Sequence, residues 1–253
     1  MKNLEQVIIT AEKPRYLRVT GYFLSYQLID NKAQSFADGM IEYYIDLKRN
    51  KLKKYNIKSS RLFKNTDYLQ ELKRNKPKVT NLLGTNILPF SFDEEVMLNE
   101  WEDKDVEFRE ILDGSEVGTV QRGGNKSELT IEYHTPENPR TISLLGLKTS
   151  VDHHLVREEF KSNNPNIEKL GSVSKYYSSQ MKKKGEEIDY ELEQDFFVSK
   201  IEYLNKEQFT SATEELNHEV ISHFSSDFWK DYQDNIPPGI KNVLYNNMEL
   251  IEM

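Results

Sequence analysis

The chain has 253 residues, a formal net charge of −8 at neutral pH, 37% hydrophobic and 30% charged residues, and no cysteine. This is a globular rather than a disordered composition, long enough to bury roughly 70–75% of its unfolded surface. It excludes disulfides, thiolate metal sites and cysteine nucleophiles, and with no apolar run near the roughly 18 residues of a membrane span and no secretory signal in MKNLEQVIITAEK, it points to the cytoplasm and to no membrane partner.

In Tyr16 to Phe23, Leu17, Val19 and Phe23 alternate with Arg18, Thr20 and Tyr22, the period of a strand. From Ala33 to Arg49, Phe36, Met40, Tyr43, Tyr44 and Leu47 fall on one helical face, with Gly39 costing about 1 kcal/mol relative to Ala inside such a helix. A short helix is expected around Asp67 to Arg74, ended by Pro77. Ser91 to about Asp105 reads as helix, followed by a strand through Val106, Phe108 and Leu112.

Asp113-Gly114 and Arg122-Gly123-Gly124-Asn125 are hairpin turns, because tight two-residue loops need positive φ. Leu129, Ile131 and Tyr133 alternate with Thr130 and Glu132, Pro136 to Pro139 turns the chain, and Thr141 to Leu147 is nearly continuously apolar. These segments predict an antiparallel meander. Helices are expected from Ser150 to Phe160 and from Ser174 to Lys184, a helical insertion over 150–186 with Lys161 to Ser172 as its polar loop. Ile188, Tyr190 and Leu192 then alternate with Asp189 and Glu191. Last comes Asn205 to Gln233, where Asn205 and Gln208 form a capping box and Phe209, Ala212, Leu216, Val220, Phe224 and Phe228 recur at three- and four-residue steps.

The expected fold class is therefore α+β, in a single domain over 1–253. An antiparallel β-meander packs on a long C-terminal amphipathic helix, with N-terminal helices and a helical insertion. One architecture with this element order is the helix-grip, a curved antiparallel sheet wrapped over its last helix.

The charge is unevenly placed. Lys48 to Lys78 carries twelve Lys or Arg against Asp67 and Glu71, a local balance of +10, whereas Ser91 to Glu116 carries eleven Asp or Glu against Lys104 and Arg109, a balance of −9. Lys48, Arg49, Lys51, Lys53, Lys54, Lys58 and Arg61, interleaved with Tyr55, form the candidate contact surface. Such adjacent blocks suit a protein partner or a second copy of the chain, since electrostatic complementarity sets specificity and encounter rate. An alternative is nucleic acid, with the cations on phosphates and Tyr55 stacked on a base, although the acidic block would repel a polyanion.

A third reading is a metal-dependent hydrolase. Asp152-His153-His154 resembles the Asp-His-His triplet of one family of metal-dependent phosphoesterases, but that family also needs a strand-borne His and paired aspartates near its N-terminus, where this chain has no His. His134, two residues from Glu132 on one strand face, adds a further ligand candidate beside Asp152, His153 and His154. The plainer reading is a solvated strand face and a helix first turn. His218 and His223 are five apart and do not converge on a helix. Glu187, Asp189, Glu191, Glu193 and Asp195 read as an exposed strand face, and neither a nucleophilic serine motif nor a phosphate-binding loop is present. No cofactor and no catalytic residue is assigned. The chain reads as a cytoplasmic binding or regulatory subunit, and its frequent Lys, Asn and Ile match the usage of AT-rich bacterial or phage genomes.

Overall fold

The computed structural model describes residues 14–49, 51–80, 110–111, 115–116, 118–123, 125–144, 146–163, 166–224 and 227–251. The chain order is β1 (Tyr16–Ile29), β2 (Lys32–Asp46), β3 (Lys51–Lys64), α1 (Thr66–Asn75), α2 (Pro77–Thr80), β4 (Glu110–Ile111), β5 (Ser115–Glu116), β6 (Gly118–Gly123), β7 (Lys126–His134), β8 (Arg140–Leu144), β9 (Leu147–Phe160), β10 (Leu170–Lys183), β11 (Glu186–Leu204), α3 (Lys206–Ala212), α4 (Pro238–Asn247) and β12 (Glu249–Leu250). A 3₁₀ turn at Ile167–Lys169 precedes β10, and a longer one at Phe228–Asn235 precedes α4. Ten strands make one antiparallel sheet in the order β12-β3-β2-β1-β11-β10-β9-β7-β6, with β8 also pairing β9, while β4 and β5 pair separately.

The α+β expectation is therefore corrected: the described chain is mostly antiparallel β, with short helices only. The helix expected over Ala33 to Arg49 is strand β2. Its apolar residues do not alternate because both faces are covered, with Phe36, Ala37, Ile41, Tyr43, Tyr44 and Ile45 all at 0–1% exposure. Gly39 is opposite Phe23 and leaves room for its ring, which would stand 2.6 Å from a Cβ placed there.

The helical insertion over 150–186 is likewise β9 and β10, two full strands near the middle of the sheet. Val156 and Phe160 are buried while Arg157 and Glu159 point the other way, so period two outweighs the helical capping signal of Ser150. The meander also changes form. β7 and β8 both pair β9, Glu128 with Glu159 and Thr141 with Ser150, so they lie end to end along one edge of β9, interrupted at residues 135–139.

The long C-terminal helix is the largest correction. Its start is as expected, since the Asn205–Gln208 capping box is formed, but α3 ends at Ala212. Thr213 hydroxyl then bonds back to the carbonyls of Phe209 and Thr210, and the chain runs extended beside β3. There Asn217 carbonyl accepts from Ile57 N–H, Ser60 and His223 exchange both backbone bonds, and Leu62 N–H donates to Ser222 hydroxyl. An edge strand with open N–H and C=O groups thus outcompetes one apolar stripe. The stripe is still buried in part: Phe209 stacks on Tyr16 at 4.0 Å, and Val220 joins the main core.

One sheet face carries the core of Leu17, Val19, Phe23, Ile41, Tyr43, Leu129, Ile131, Val156, Val173 and Phe196. On the second face, Tyr22, Leu24, Tyr26 and Phe36 are covered by Phe228, Tyr232, Ile236, Ile240 and Leu244 of the C-terminal segment. α1 and α2 cover one corner through Tyr68, Leu72 and Val79 against Ile29 and Ile188, and Asn65 caps α1. The α1 expectation of Asp67 to Arg74 agrees with this. Among the described residues no helix is long and apolar enough to cross a membrane.

Candidate binding surfaces

The basic segment is the β2–β3 turn and strand β3. Two register shifts in the β2–β3 ladder leave Lys53 and Lys58 as extra residues, because Ile45 pairs Leu52 while Tyr44 pairs Lys54, and Ile41 pairs Ile57 while Met40 pairs Ser59. Bulges carrying lysine are a device that keeps an edge strand from pairing with another chain. Lys48, Arg49, Lys51, Lys54 and Lys58 are exposed, and Lys53 is half-buried. Lys54 Nζ reaches the carbonyl of Thr213 at 3.3 Å. Among the described residues no carboxylate pairs with Lys48, Arg49, Lys54 or Lys58.

Two members of the predicted surface are not on it. Arg61 is buried at 5% exposure, its Nε and Nη2 donating to the two Asp38 oxygens at 3.0 and 2.6 Å, with Trp229 stacked 4.3 Å from its Cζ. Tyr22 hydroxyl donates to the same carboxylate at 2.8 Å. Burial pushes the Asp38 carboxyl up, and the guanidinium and the Tyr22 hydroxyl oppose that rise. Tyr55 is half-buried, its ring 4.7 Å from His218 and 6.4 Å from Tyr43. The acidic block over 91–109 lies outside the described residues, as do the expected helix there and the Asp113-Gly114 turn, although the flanking residues Ile111 and Ser115 do pair.

On the second sheet face, beside the C-terminal cover, β9, β10 and β11 form an open groove of about 470 Å³. His153, Leu155, Arg157, Ser174, Tyr176, Glu193 and Asp195 line it. Burial holds the Asp195 carboxyl up at about 6, with Glu193 adding to the rise and the Ser174 hydroxyl opposing it. Glu193 accepts from Tyr26 hydroxyl, and Glu191 accepts from Tyr176 hydroxyl at 2.7 Å. Burial and that carboxylate push Tyr176 up to about 12. Sequence reading took this carboxylate row for a solvated strand face. Period two found its direction, but nothing local could reveal the neighbouring strands that half-bury it.

The histidines sit on strands, not on a helix first turn. His134 and His153 are cross-strand partners with ring centroids 4.4 Å apart, and His153 Nε2 lies 2.9 Å from Glu132 Oε1. His154 projects to the opposite face, 6.4 Å from Tyr177, and Asp152 accepts from Ser178 hydroxyl at 2.9 Å. So the fold brings Glu132, His134 and His153 together and turns His154 away, while Asp152 bonds Ser178, the cross-strand partner of His153. Among the described residues no group of three or more His, Asp or Glu is placed to hold a metal ion.

No protein-family profile matches the chain, and no curated protein matches it. Among solved structures, it is similar to a lipovitellin chain described under lipid–protein interactions in lipovitellin. The identity is 12% and the TM-score 0.35, over 86% of this chain and 28% of that one. The chain thus spans well under half the length of that protein, and a likeness this loose carries no functional argument.

Proposed function

We propose that the chain is a non-catalytic binding subunit of the cytoplasm that recognises a protein partner, or a second copy of itself, through the basic ridge at the β2–β3 end of the sheet. The observation that carries this reading is the set Lys48, Arg49, Lys54 and Lys58, exposed on the β2–β3 turn and β3 and unmatched by any described carboxylate. Exposed charges of one sign steer a complementary surface towards them and select against a wrong partner. Protein is favoured over nucleic acid because Tyr55, the one aromatic between Lys48 and Arg61, is half-buried in contact with His218 and Tyr43. The absence of cysteine supports a reducing compartment.

The test is purification of the tagged chain from its own host, with nuclease treatment, followed by light scattering. A discrete complex or oligomer that dissociates as salt rises is the expected result. A strict monomer with no companion refutes the reading, and loss of the companion on nuclease treatment transfers it to nucleic acid.

A further inference from the structure

Two hairpins stand level at the end of the sheet opposite the basic ridge. Lys148 of β9 pairs Lys182 of β10, so one step further along both strands Leu147 comes beside Lys183, and the turns containing Gly146 and Gly185 follow at the same height. Gly146 at φ +77° and Gly185 at φ +86° let both turns close tightly. With neighbouring strands about 4.8 Å apart, the two tips stand about 10 Å from each other. The β1–β2 turn is set back, because Ile29 pairs Tyr190, roughly four residues or about 13 Å short of the tips.

The two tips differ in chemistry. On β8–β9, Ile142 is 66% and Leu144 69% exposed, with Leu147 half-buried beside them on the same face. The β10–β11 tip carries Lys182, Lys183 and Lys184; Lys148 flanks it, and Lys78 Nζ lies 3.2 Å from the Lys184 carbonyl. Its two carboxylates are engaged. Glu186 accepts from the Lys78 and Val79 N–H groups at 2.6 and 3.2 Å, and Glu187 pairs with Lys182 at 3.0 Å. Among the described residues no carboxylate pairs with Lys148, Lys183 or Lys184. An acidic chain thus presents a locally cationic end around a bare apolar tip.

We propose that this end docks on the surface of a bilayer containing anionic lipid. Ile142, Leu144 and Leu147 enter the boundary between headgroups and acyl chains, and Lys148, Lys183 and Lys184 meet the lipid phosphates and carboxylates. An apolar element reaching about 5–10 Å into that boundary, held by surrounding cations, is the physical recipe for reversible peripheral binding. Charge complementarity selects the occupant. A second copy pairing along β8 would join only five residues on each side, well short of the roughly 800 Å² per partner of a stable interface. The expectation of no membrane partner rested on the lack of a long apolar run, which speaks only of spanning.

The test is co-sedimentation of the whole chain with vesicles of phosphatidylcholine alone and with about 30% phosphatidylserine added. The proposal requires sedimentation with the phosphatidylserine vesicles only, weakened about tenfold or more by Ile142→Ser/Leu144→Ser and by Lys148→Glu/Lys183→Glu/Lys184→Glu, and lost in about 0.5 M salt. Ile142, Leu144, Lys148 and Lys184 are exposed and Lys183 is half-buried, and matching circular dichroism melts confirm that the variants fold. Wild-type chain left in the supernatant overturns the proposal, as does binding by both variants equal to that of the wild type. A wild-type dimer that becomes monomeric in Ile142→Ser/Leu144→Ser without any vesicle binding also overturns it, and assigns the tip to a second copy.

Discussion

Replacing Arg61 by Met removes a charge from the buried contact that ties the C-terminal segment to the sheet. The side chains of Arg61 and Asp38 are 7% and 0% exposed, and in the variant the Asp38 carboxylate keeps only the Tyr22 hydroxyl. Removing one partner of a buried ion pair costs about 3–5 kcal/mol, because the remaining charge has lost both water and its counter-ion. Melting temperatures of domains this size fall about 2–4 °C per kcal/mol, so a loss of about 4 kcal/mol lowers the midpoint by about 8–16 °C. Removing both charges in Asp38→Leu/Arg61→Met restores most of that loss, since the desolvation cost disappears with the pair. Thermal and urea melts of the wild type, both singles and the double complete the cycle, with Trp229 fluorescence reporting release of the segment that lies over Arg61. A single variant within about 1 kcal/mol of wild type, or a double whose loss equals the sum of its singles, refutes the reasoning.

Three further outcomes are expected. Gly39→Ala puts a methyl group against the Ser59 carbonyl and the Phe23 ring, so the unfolding free energy from urea melts should fall by about 1–3 kcal/mol through a lower midpoint at unchanged slope; no fall means that the strands can part there. Asp195 titrates at about 6 in the fold against an ordinary 3.8, so its contribution to stability is complete below about pH 4 and is lost as pH rises through 6. Asp195→Asn should therefore gain on wild type in melts from pH 4 to pH 7, and a constant difference would contradict the burial assigned to it. Lys53→Val/Lys58→Val removes the charges from both β3 bulges and should raise turbidity at high protein concentration without lowering the melting temperature; unchanged solubility would show that the segment over 217–223 protects the edge unaided.

Local chemistry was legible in the sequence. Asn205 and Gln208 form their capping box, Gly123 pairs Lys126 across the expected hairpin, and β1 follows its alternation from Leu17 to Thr20 before both its faces are covered. What failed was the inference from apolar spacing to element type. β2 is covered on both faces, so Phe36, Met40 and Tyr43 mimic a helix in a strand that has no polar side. Residues 213–224 carry a helical stripe, but the open edge of β3 competes for their backbone, a long-range demand no local window contains. The same holds for function. Arg61 looks like its neighbours in the basic run until the fold places Asp38 opposite it, as cross-strand partners. Glu132 and His134 share a strand face by alternation, whereas His153 and His154, expected in a helix first turn, lie on β9 with only His153 turned towards them. The exposed tip at Ile142 and Leu144 was hidden in the sequence, where an apolar run reads as core.

The proposed role rests on the basic ridge being exposed and unmatched by carboxylates, and one paired capture experiment addresses it most directly. Wild type and Lys48→Glu/Arg49→Glu/Lys54→Glu/Lys58→Glu, first shown to melt alike, are immobilised and exposed to the same nuclease-treated host extract. The account predicts a stoichiometric companion, or the chain itself, retained by the wild type at low salt and lost with the four reversals. Identical retention by both proteins would contradict it.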